Sequence, residues 1–343
     1  MNVKKVALVT GGAGFIGSHI VDLLLEQGHT VRVLDNLSGG SYQNLEQHSS
    51  NPNLTFVEKD ITKIHTDDPM FRGVRWLFHM AGIGDIVPSI EKPLEYFKTN
   101  ASGTALIAEA AREANVEKLI YAASSSCYGL ASVPTDESAP INPQYPYALT
   151  KYIGEQILFH WHQVYGLPVN SIRIFNAYGP RSRTSGAYGA VFGVFLKQLI
   201  AEKPLTVVGN GNQSRDFVYV TDVARAFLMA AETTKIGQIY NIGFGKPRKV
   251  NELVKLLSEK YVRIPERPGE PNCTWANISK ISRELGWSPR VTLEEGVSKL
   301  LEHISYWEDA PLWDENSIEK ATKTWFKFLG KNRADSGQIS NEI

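Results

Sequence analysis

Two residues carry the sharpest chemical signal in this chain. Tyr147 and Lys151 stand four positions apart in Tyr147-Ala148-Leu149-Thr150-Lys151. On a helix, residues at that spacing share one face, so a phenol and an ammonium can meet over one substrate. A cation beside a phenol favours the phenolate and draws its pKa down from about 10. That would make a proton shuttle usable near neutral pH. Taken alone, the pair also fits an ordinary surface helix. The N-terminus of the chain sharpens it.

Val6-Ala7-Leu8-Val9 is a short apolar run of the kind buried in parallel sheets. Gly11-Gly12-Ala13-Gly14-Phe15-Ile16-Gly17 follows at once, and Ser18 to Leu25 then has helical apolar spacing. Strand, glycine turn and helix form the context that a dinucleotide fingerprint requires. Its glycines permit a tight turn, a close approach of backbone to pyrophosphate, and packing of the helix on the strand. The amide groups and dipole of the helix start then hold phosphate. Here the glycines are spaced as Gly11, Gly14 and Gly17. A second strand, Thr30-Val31-Arg32-Val33-Leu34, ends at Asp35. An acid there accepts hydrogen bonds from the adenosine ribose and repels a 2′-phosphate, which selects NAD over NADP.

A chain of 343 residues has room for one large or two modest domains. Its 36 basic and 36 acidic residues cancel, and no basic block suggests nucleic acid or an anionic membrane. No apolar run reaches membrane-spanning length, and the first residues lead into a strand without a secretory apolar region. Cys127 and Cys273 lack metal-ligand spacing, and no metal site is expected. Two isolated thiols suit a reducing cytoplasm.

Strand and helix patterns alternate through residue 180, the mark of a Rossmann-like, doubly wound parallel sheet. After Asp35, Leu54 to Glu58 reads as a third strand, ending near Asp60-Ile61, where an adenine could rest. Trp76 to Gly82 reads as a fourth, Lys118 to Ala123 as a fifth and Ser171 to Phe175 as a sixth. Helices are expected over Thr104 to Asn115 and Tyr147 to Val164. The pattern becomes irregular after Gly179-Pro180. The expected division is 1–180 for cofactor and catalysis, 181–330 for a smaller, partly interleaved substrate region, and 331–343 for a flexible polar tail.

With these residues in hand, the chain resembles the extended short-chain dehydrogenase/reductases, and within them the nucleotide-sugar epimerases and dehydratases. The likeness rests on an ordered set of motifs between about residues 5 and 300. They include Gly11-x-x-Gly14-x-x-Gly17, Asp35, Asp60-Ile61, the strand end His79 to Gly82, Asn100, Ser124 to Gly129, and Tyr147-x-x-x-Lys151. Arg173-x-Phe175-Asn176-x-Tyr178-Gly179-Pro180, Gly209 to Val223 and Arg267-Pro268-Gly269-Glu270 continue the series.

The resemblance implies a cofactor site of Gly11, Gly14, Phe15, Ile16, Gly17, Asp35, Asn36, Asp60, Ile61, Ala81 and Asn100, with Tyr147 and Lys151 at the nicotinamide end. It makes Tyr147 the acid and base on a sugar hydroxyl and Ser124 its partner there. Lys151 would bond the nicotinamide ribose and lower the Tyr147 pKa. Asn176, Arg215 and Arg267 would bind a nucleotide diphosphate, an anion that calls for forked cationic donors. Ser125, Asp85 and Thr274 complete the expected substrate set. A homodimer through a four-helix interface is also implied, although the apolar residues Leu106, Ile107, Ile153, Ile157 and Leu158 equally suit core packing.

The shared first step in this family is oxidation of a sugar hydroxyl. A 4,6-dehydratase then needs an Asp-Glu pair just after its catalytic Ser or Thr, and a decarboxylase a Glu near the second position. Ser125 and Ser126 stand there, and a hydroxyl cannot replace a carboxylate in that proton chemistry. The default is 4-epimerisation through a transient 4-keto sugar. The kept alternatives are a net dehydrogenase or reductase, a dehydratase or decarboxylase, and, more remotely, a non-catalytic sensor. Departures from the family text are Ala81-Gly82-Ile83-Gly84-Asp85, Asn277 where many members have Asp, and an aromatic extension from Tyr306 to Leu329. Asp85 would lie near the sugar. In related epimerases, the residue five places after the motif glycine gates N-acetylated sugars, and here it is Thr274.

Overall fold

The computed structural model describes residues 4–182 and 191–330. The expected tail at 331–343 lies outside the described residues. Seven parallel strands form the main sheet. They are β1 (Val6–Thr10), β2 (Thr30–Asp35), β3 (Leu54–Glu58), β4 (Trp76–His79), β5 (Lys118–Ser124), β6 (Val169–Ile174) and β11 (Gln238–Ile242), in spatial order β11-β6-β5-β4-β1-β2-β3. Short ladders pair β7 (Asn176–Tyr178) with β10 (Phe217–Tyr219), β9 (Ser214–Arg215) with β12 (Arg248–Lys249), and β8 (Leu205–Val208) with β13 (Tyr261–Ile264).

The helices are α1 (Phe15–Glu26), α2 (Ile86–Glu91), α3 (Pro93–Tyr96), α4 (Thr104–Glu113), α5 (Pro146–Tyr165), α6 (Val191–Ile200), α7 (Val220–Glu232), α8 (Val250–Leu257), α9 (Ser279–Leu285), α10 (Leu293–Glu302) and α11 (Glu315–Leu329). None of them is long and apolar enough to cross a membrane. The main sheet buries both faces, as the continuous apolar strand runs require. Val9, Val33, Phe78, Ile120 and Ile172 pack under α1 and α7. Their neighbours Leu8, Leu34, Leu77, Leu119 and Tyr121 pack under α4 and α5. This is the period-two alternation of a strand realised on both sides. A second core, built on Phe192, Phe195, Leu253, Leu300 and Trp307, holds the smaller region together.

Several boundaries differ from the expected ones. The fourth strand stops at His79 because Ala81 and Gly82 leave the sheet toward the glycine turn. The sixth starts at Val169 and ends before Phe175. The expected helix from Thr104 ends at Glu113 and is preceded by a wide π-helical turn over Phe97–Gly103. The sheet does not close within residues 1–180, since β11 and α7 both come from beyond that boundary.

A buried polar network fixes α5 to the sheet. Glu155, 1 % exposed, receives Arg173 through Nη2 at 2.5 Å and Nε at 3.1 Å, and Ser171 Oγ at 2.7 Å. Arg173 Nη1 also donates to the Tyr128 hydroxyl at 2.8 Å, and that hydroxyl donates to Asn241 Oδ1 at 2.8 Å. Asn241 Nδ2 donates to the Thr135 carbonyl at 3.1 Å, carrying the network from β6 to β11. Replacing Glu155 by Ala strands a buried guanidinium, which costs about 3–5 kcal/mol. Urea denaturation of Glu155→Ala against the parent chain should show that loss. A change within about 0.5 kcal/mol, the usual range for surface substitutions, would mean the pair is not what registers α5.

Candidate active site

The glycine turn after β1 leaves no room for side chains. A Cβ on Gly17 would sit 2.1 Å from the Gly11 carbonyl oxygen, and one on Gly11, itself at φ +69°, 2.7 Å from the Ala81 amide. The start of α1 therefore presses backbone against backbone, with its amides at the open end. Asp35 is buried at the end of β2 and accepts from the Ala13 amide at 3.0 Å and the Leu37 amide at 2.8 Å. Burial pushes its pKa up, opposed by those two amides. A carboxylate offers about four acceptor sites, so two remain for ribose hydroxyls. Asp60 caps the turn Ile61–Lys63 through the Thr62 amide at 2.8 Å, with Ile61 buried beneath. Asn36 is exposed beside it. Phe15 and Ile16 face the core of the smaller region. A cradle that a Cβ would fill, with a free-sided acid across it, fits a dinucleotide.

From Gly11 the cradle continues past Ala81 and Gly82 toward Asn100 and Lys151. Asn100 lies in the π-helical turn and ties it to the strand-end loop. Its Oδ1 accepts from the Ile83 amide at 2.7 Å, and its Nδ2 donates to the Ile83 carbonyl at 3.0 Å and Thr150 Oγ1 at 3.1 Å. A Cβ on Gly82 would lie 3.0 Å from Asn100 Oδ1 and 3.5 Å from Lys151 Nζ. Lys151 Nζ sits 4.4 Å above the Tyr121 ring. Gly154, one turn later, lets α5 approach that closely, because a Cβ there would meet the Tyr121 hydroxyl at 2.5 Å. His79 is buried between Thr10 Oγ1 at 2.7 Å and Thr104 Oγ1 at 3.0 Å. Burial, then the Lys151 charge, hold it neutral at a pKa of about 3.

Tyr147 and Lys151 share a face of α5, and burial moves the pKa of each away from its charged form. Burial raises the pKa of the Tyr147 phenol; Ser124, within hydrogen-bonding reach, opposes it, and the Asp85 carboxylate adds to it. Lys151 is not among the groups that move Tyr147 here. Its own pKa is drawn down to about 7, because burial outweighs the attraction of Glu155. Ser124 caps the turn that ends β5, accepting from the Ser126 amide at 3.2 Å. Ser125 follows it at the same strand end. Asp85 holds φ +72°, which side chains rarely adopt, and the Tyr96 hydroxyl donates to its carbonyl at 3.1 Å and to that of Gly84.

The expected diphosphate arm is assembled on the far side. Arg215 is buried and pairs with Glu270 at 2.7 Å, not with its neighbour Asp216. It also donates to the Ser214 and Pro271 carbonyls, both at 2.9 Å. Arg267 reaches the other Glu270 oxygen at 3.8 Å. Asp216 instead accepts the amides of Phe244 at 2.6 Å and Ala276 at 2.9 Å, and burial raises its pKa to about 6. Thr274 donates to Asn176 Oδ1 at 2.7 Å and accepts the Asp216 amide at 3.3 Å. Its segment forms isolated bridges, Ser214 with Cys273 and Thr135 with Ala276.

Sequence reasoning missed Glu155, the pairing of Glu270 with Arg215, and Tyr145, whose ring stacks on Tyr147. Glu155 lies one turn beyond Lys151 on the same helix face, which was a usable signal. The others declare themselves only in three dimensions. The aromatic extension from Tyr306 ends in α11, with Trp325 buried against this same chain.

The model of the NAD-dependent epimerase/dehydratase family matches residues 7–243. A UDP-glucose 4-epimerase of Mycolicibacterium smegmatis is 35 % identical over 310 residues, covering 86 % of this chain and 97 % of that protein. The solved UDP-glucose 4-epimerase of Thermotoga maritima superposes with a TM-score of 0.82 at 35 % identity, over 88 % of this chain and 98 % of that one. A UDP-N-acetylglucosamine 4-epimerase of Methanobrevibacter ruminantium gives 0.82 at 32 % identity, over 88 % and 100 %. Fold and site thus define an extended short-chain dehydrogenase/reductase. The chain belongs to the NAD-dependent epimerase/dehydratase family, and NAD is its cofactor.

The buried ammonium gives a pH test. Because the folded-state pKa of Lys151 lies below its unfolded value of 10.5, the unfolded chain binds more protons between about pH 7 and 10.5. This group therefore adds stability as pH rises through that window. Lys151→Met should be more stable than the parent at pH 6, with the gap narrowing toward pH 10. Urea midpoints that differ equally at every pH would contradict it.

Proposed function

We propose that this chain is an NAD-dependent UDP-sugar 4-epimerase acting on a UDP-hexose or a UDP-N-acetylhexosamine. The observation that carries the reading is the pairing of Ser124 and Tyr147 at the end of β5, with Ser125 and Ser126 where elimination or decarboxylation would need carboxylates. NAD, when bound, accepts and returns the hydride at sugar C4. Tyr147 takes the proton of the 4-hydroxyl and gives it back after the 4-keto sugar has turned its other face. Ser124 orients that hydroxyl. Asn100 holds the strand-end loop through Ile83, and Lys151 would bond the nicotinamide ribose. Arg215, Arg267 and Asn176 anchor the diphosphate, so the sugar can turn without leaving. The net reaction is redox-neutral.

The sugar reading rests on Thr274. Its hydroxyl is committed to Asn176 and the Asp216 amide, so it has no proton to give an acetamido group. What favours N-acetyl sugars is its small size alone. A panel of UDP-, GDP-, CDP- and dTDP-sugars followed by NMR should show 4-epimerisation of UDP-hexoses, with N-acetyl forms accepted comparably and no NAD added. Thr274→Tyr should lose the N-acetyl substrate selectively, by overpacking. Equal loss of both substrates, or a parent chain that ignores N-acetyl sugars, would remove the gate.

The assembly reading is a homodimer through α4 and α5. Ile107 and Leu158 are fully buried in this chain's own core, and Leu106 packs against it. Ile153 and Ile157 instead line an outer groove of about 470 Å³ with Phe159 and Trp161, and Leu149, Val164 and Tyr165 lie exposed on α5. Light scattering at micromolar concentration should give twice the chain mass; a monomer mass would refute the dimer. Cys127 and Cys273 are both free thiols, in keeping with a cytoplasmic enzyme.

A further inference from the structure

The contacts of Tyr147 lead to a second phenol. Tyr145, the residue before α5, stacks on Tyr147 with ring centroids 6.4 Å apart and planes within 6°. Its other neighbour is Trp325 of α11, also at 6.4 Å. Trp325 is itself fixed, donating its indole N–H to the Pro268 carbonyl at 2.7 Å and lying 5.6 Å below the Arg267 guanidinium. Tyr145 thus cannot swing away from the catalytic phenol.

The hydroxyls repeat the connection. Ser124 Oγ and Ser126 Oγ are 2.8 Å apart. Ser124 is within hydrogen-bonding reach of the Tyr147 phenol, and Ser126 of the Tyr145 phenol. Four hydroxyls therefore run in sequence from one ring to the other, and the ring stack closes the circuit. Burial above all, with Tyr147 and Glu270 close by, keeps the Tyr145 phenol protonated, so it can serve as a standing donor.

We propose that Tyr145 is a positioning residue for Tyr147, holding the catalytic phenol through the ring stack and through the Ser126 and Ser124 hydroxyls. A base that takes a proton from one face of a sugar and returns it to the other must keep its oxygen in place while the substrate moves. The stack restrains the ring, and the hydroxyl chain aims a donor at its oxygen. The kinetic part of this proposal rests on the 4-epimerase reading; the structural part does not.

Other groups face Tyr147 as well. Asp85 approaches from the start of α2, Tyr96 from α3, Tyr121 and Ser124 from β5, Cys127 from the turn after it, and Lys151 from α5 itself. All of them stay in place in Tyr145→Phe, which removes one hydroxyl and keeps the stack. Ser126→Ala removes the middle link. In NAD-loaded, full-length protein carrying ring-labelled tyrosine, the Tyr147 signal is assigned by its loss in Tyr147→Phe and titrated by NMR. Both Tyr145→Phe and Ser126→Ala should raise the Tyr147 midpoint, because a donor chain favours the phenolate. Each should lower kcat about five- to tenfold, roughly the worth of one hydrogen bond, with KM unchanged. The double variant should be no worse than either single one.

An unmoved midpoint with unchanged kcat overturns the proposal. So does additivity of the two substitutions, or a rise in KM alone, which would make Tyr145 a substrate contact. A parent chain that epimerises no sugar in the panel refutes the reaction reading, while the titration still decides the role of Tyr145.

Discussion

The buried pair of Glu155 and Arg173 is the constraint on which the rest of the structure depends. Two opposite charges, 1 % and 3 % exposed, sit between α5 and β6. Taking them out of water costs several kcal/mol each, and the return comes only with good geometry and full hydrogen bonding. Both conditions hold, since the carboxylate also receives Ser171 and the guanidinium reaches Tyr128. An apolar interface would have let α5 slide or rotate on the sheet. The ion pair allows one register, and that register places Lys151 one turn above Glu155 and Tyr147 one turn above Lys151.

Close approach of backbone does the complementary work. Gly154 brings α5 against Tyr121 and the π-helical turn, and Gly17 seats α1 on the glycine turn. The two helices carry different candidate groups, Tyr147 and Lys151 on α5 and the amides that follow the glycine turn on α1. Ala81, Gly82 and Asn100 lie between them, with Asn100 bonded to both the loop and α5. A loop is held here as firmly as a strand because Asn100 spends both ends of its amide on Ile83. A π-helical turn is a costly local conformation, and such turns recur at functional sites. In this chain it points Asn100 at the loop.

Much of this was legible in the sequence because the signals are local. A strand, a glycine turn and an acid at a strand end are each specified within a few residues, and so is Tyr147-x-x-x-Lys151. The first five strands and helix α5 follow from period and punctuation alone. What was not legible depends on contacts between distant segments. The strand Gln238–Ile242 carries only a weak pattern, yet it completes the sheet. Glu270 lies beside the expected Arg267 but gains its meaning from Arg215, 55 residues away in sequence. The burial around Lys151 and Tyr147 was not legible for the same reason. Spacing tells that two groups are neighbours, but not how much water is left around them, and burial dominates both pKa values.

The site also separates holding from turning. At one end Glu270 gathers Arg215 and Arg267, two cations around one anion, which leaves net positive charge for a diphosphate. Those side chains are tied to backbone carbonyls and to Trp325, so that end is stiff. At the other end stand Ser124, Tyr147 and Asp85, single hydroxyls and one carboxylate, groups able to bond a ring hydroxyl in more than one orientation. A substrate gripped at its phosphates and lightly bonded at its sugar can swing about the link between them. A substrate gripped at both ends could be oxidised but not inverted. The distribution of charge across this site, dense at the arginines and sparse at the phenol, is what a reaction with a rotating intermediate demands.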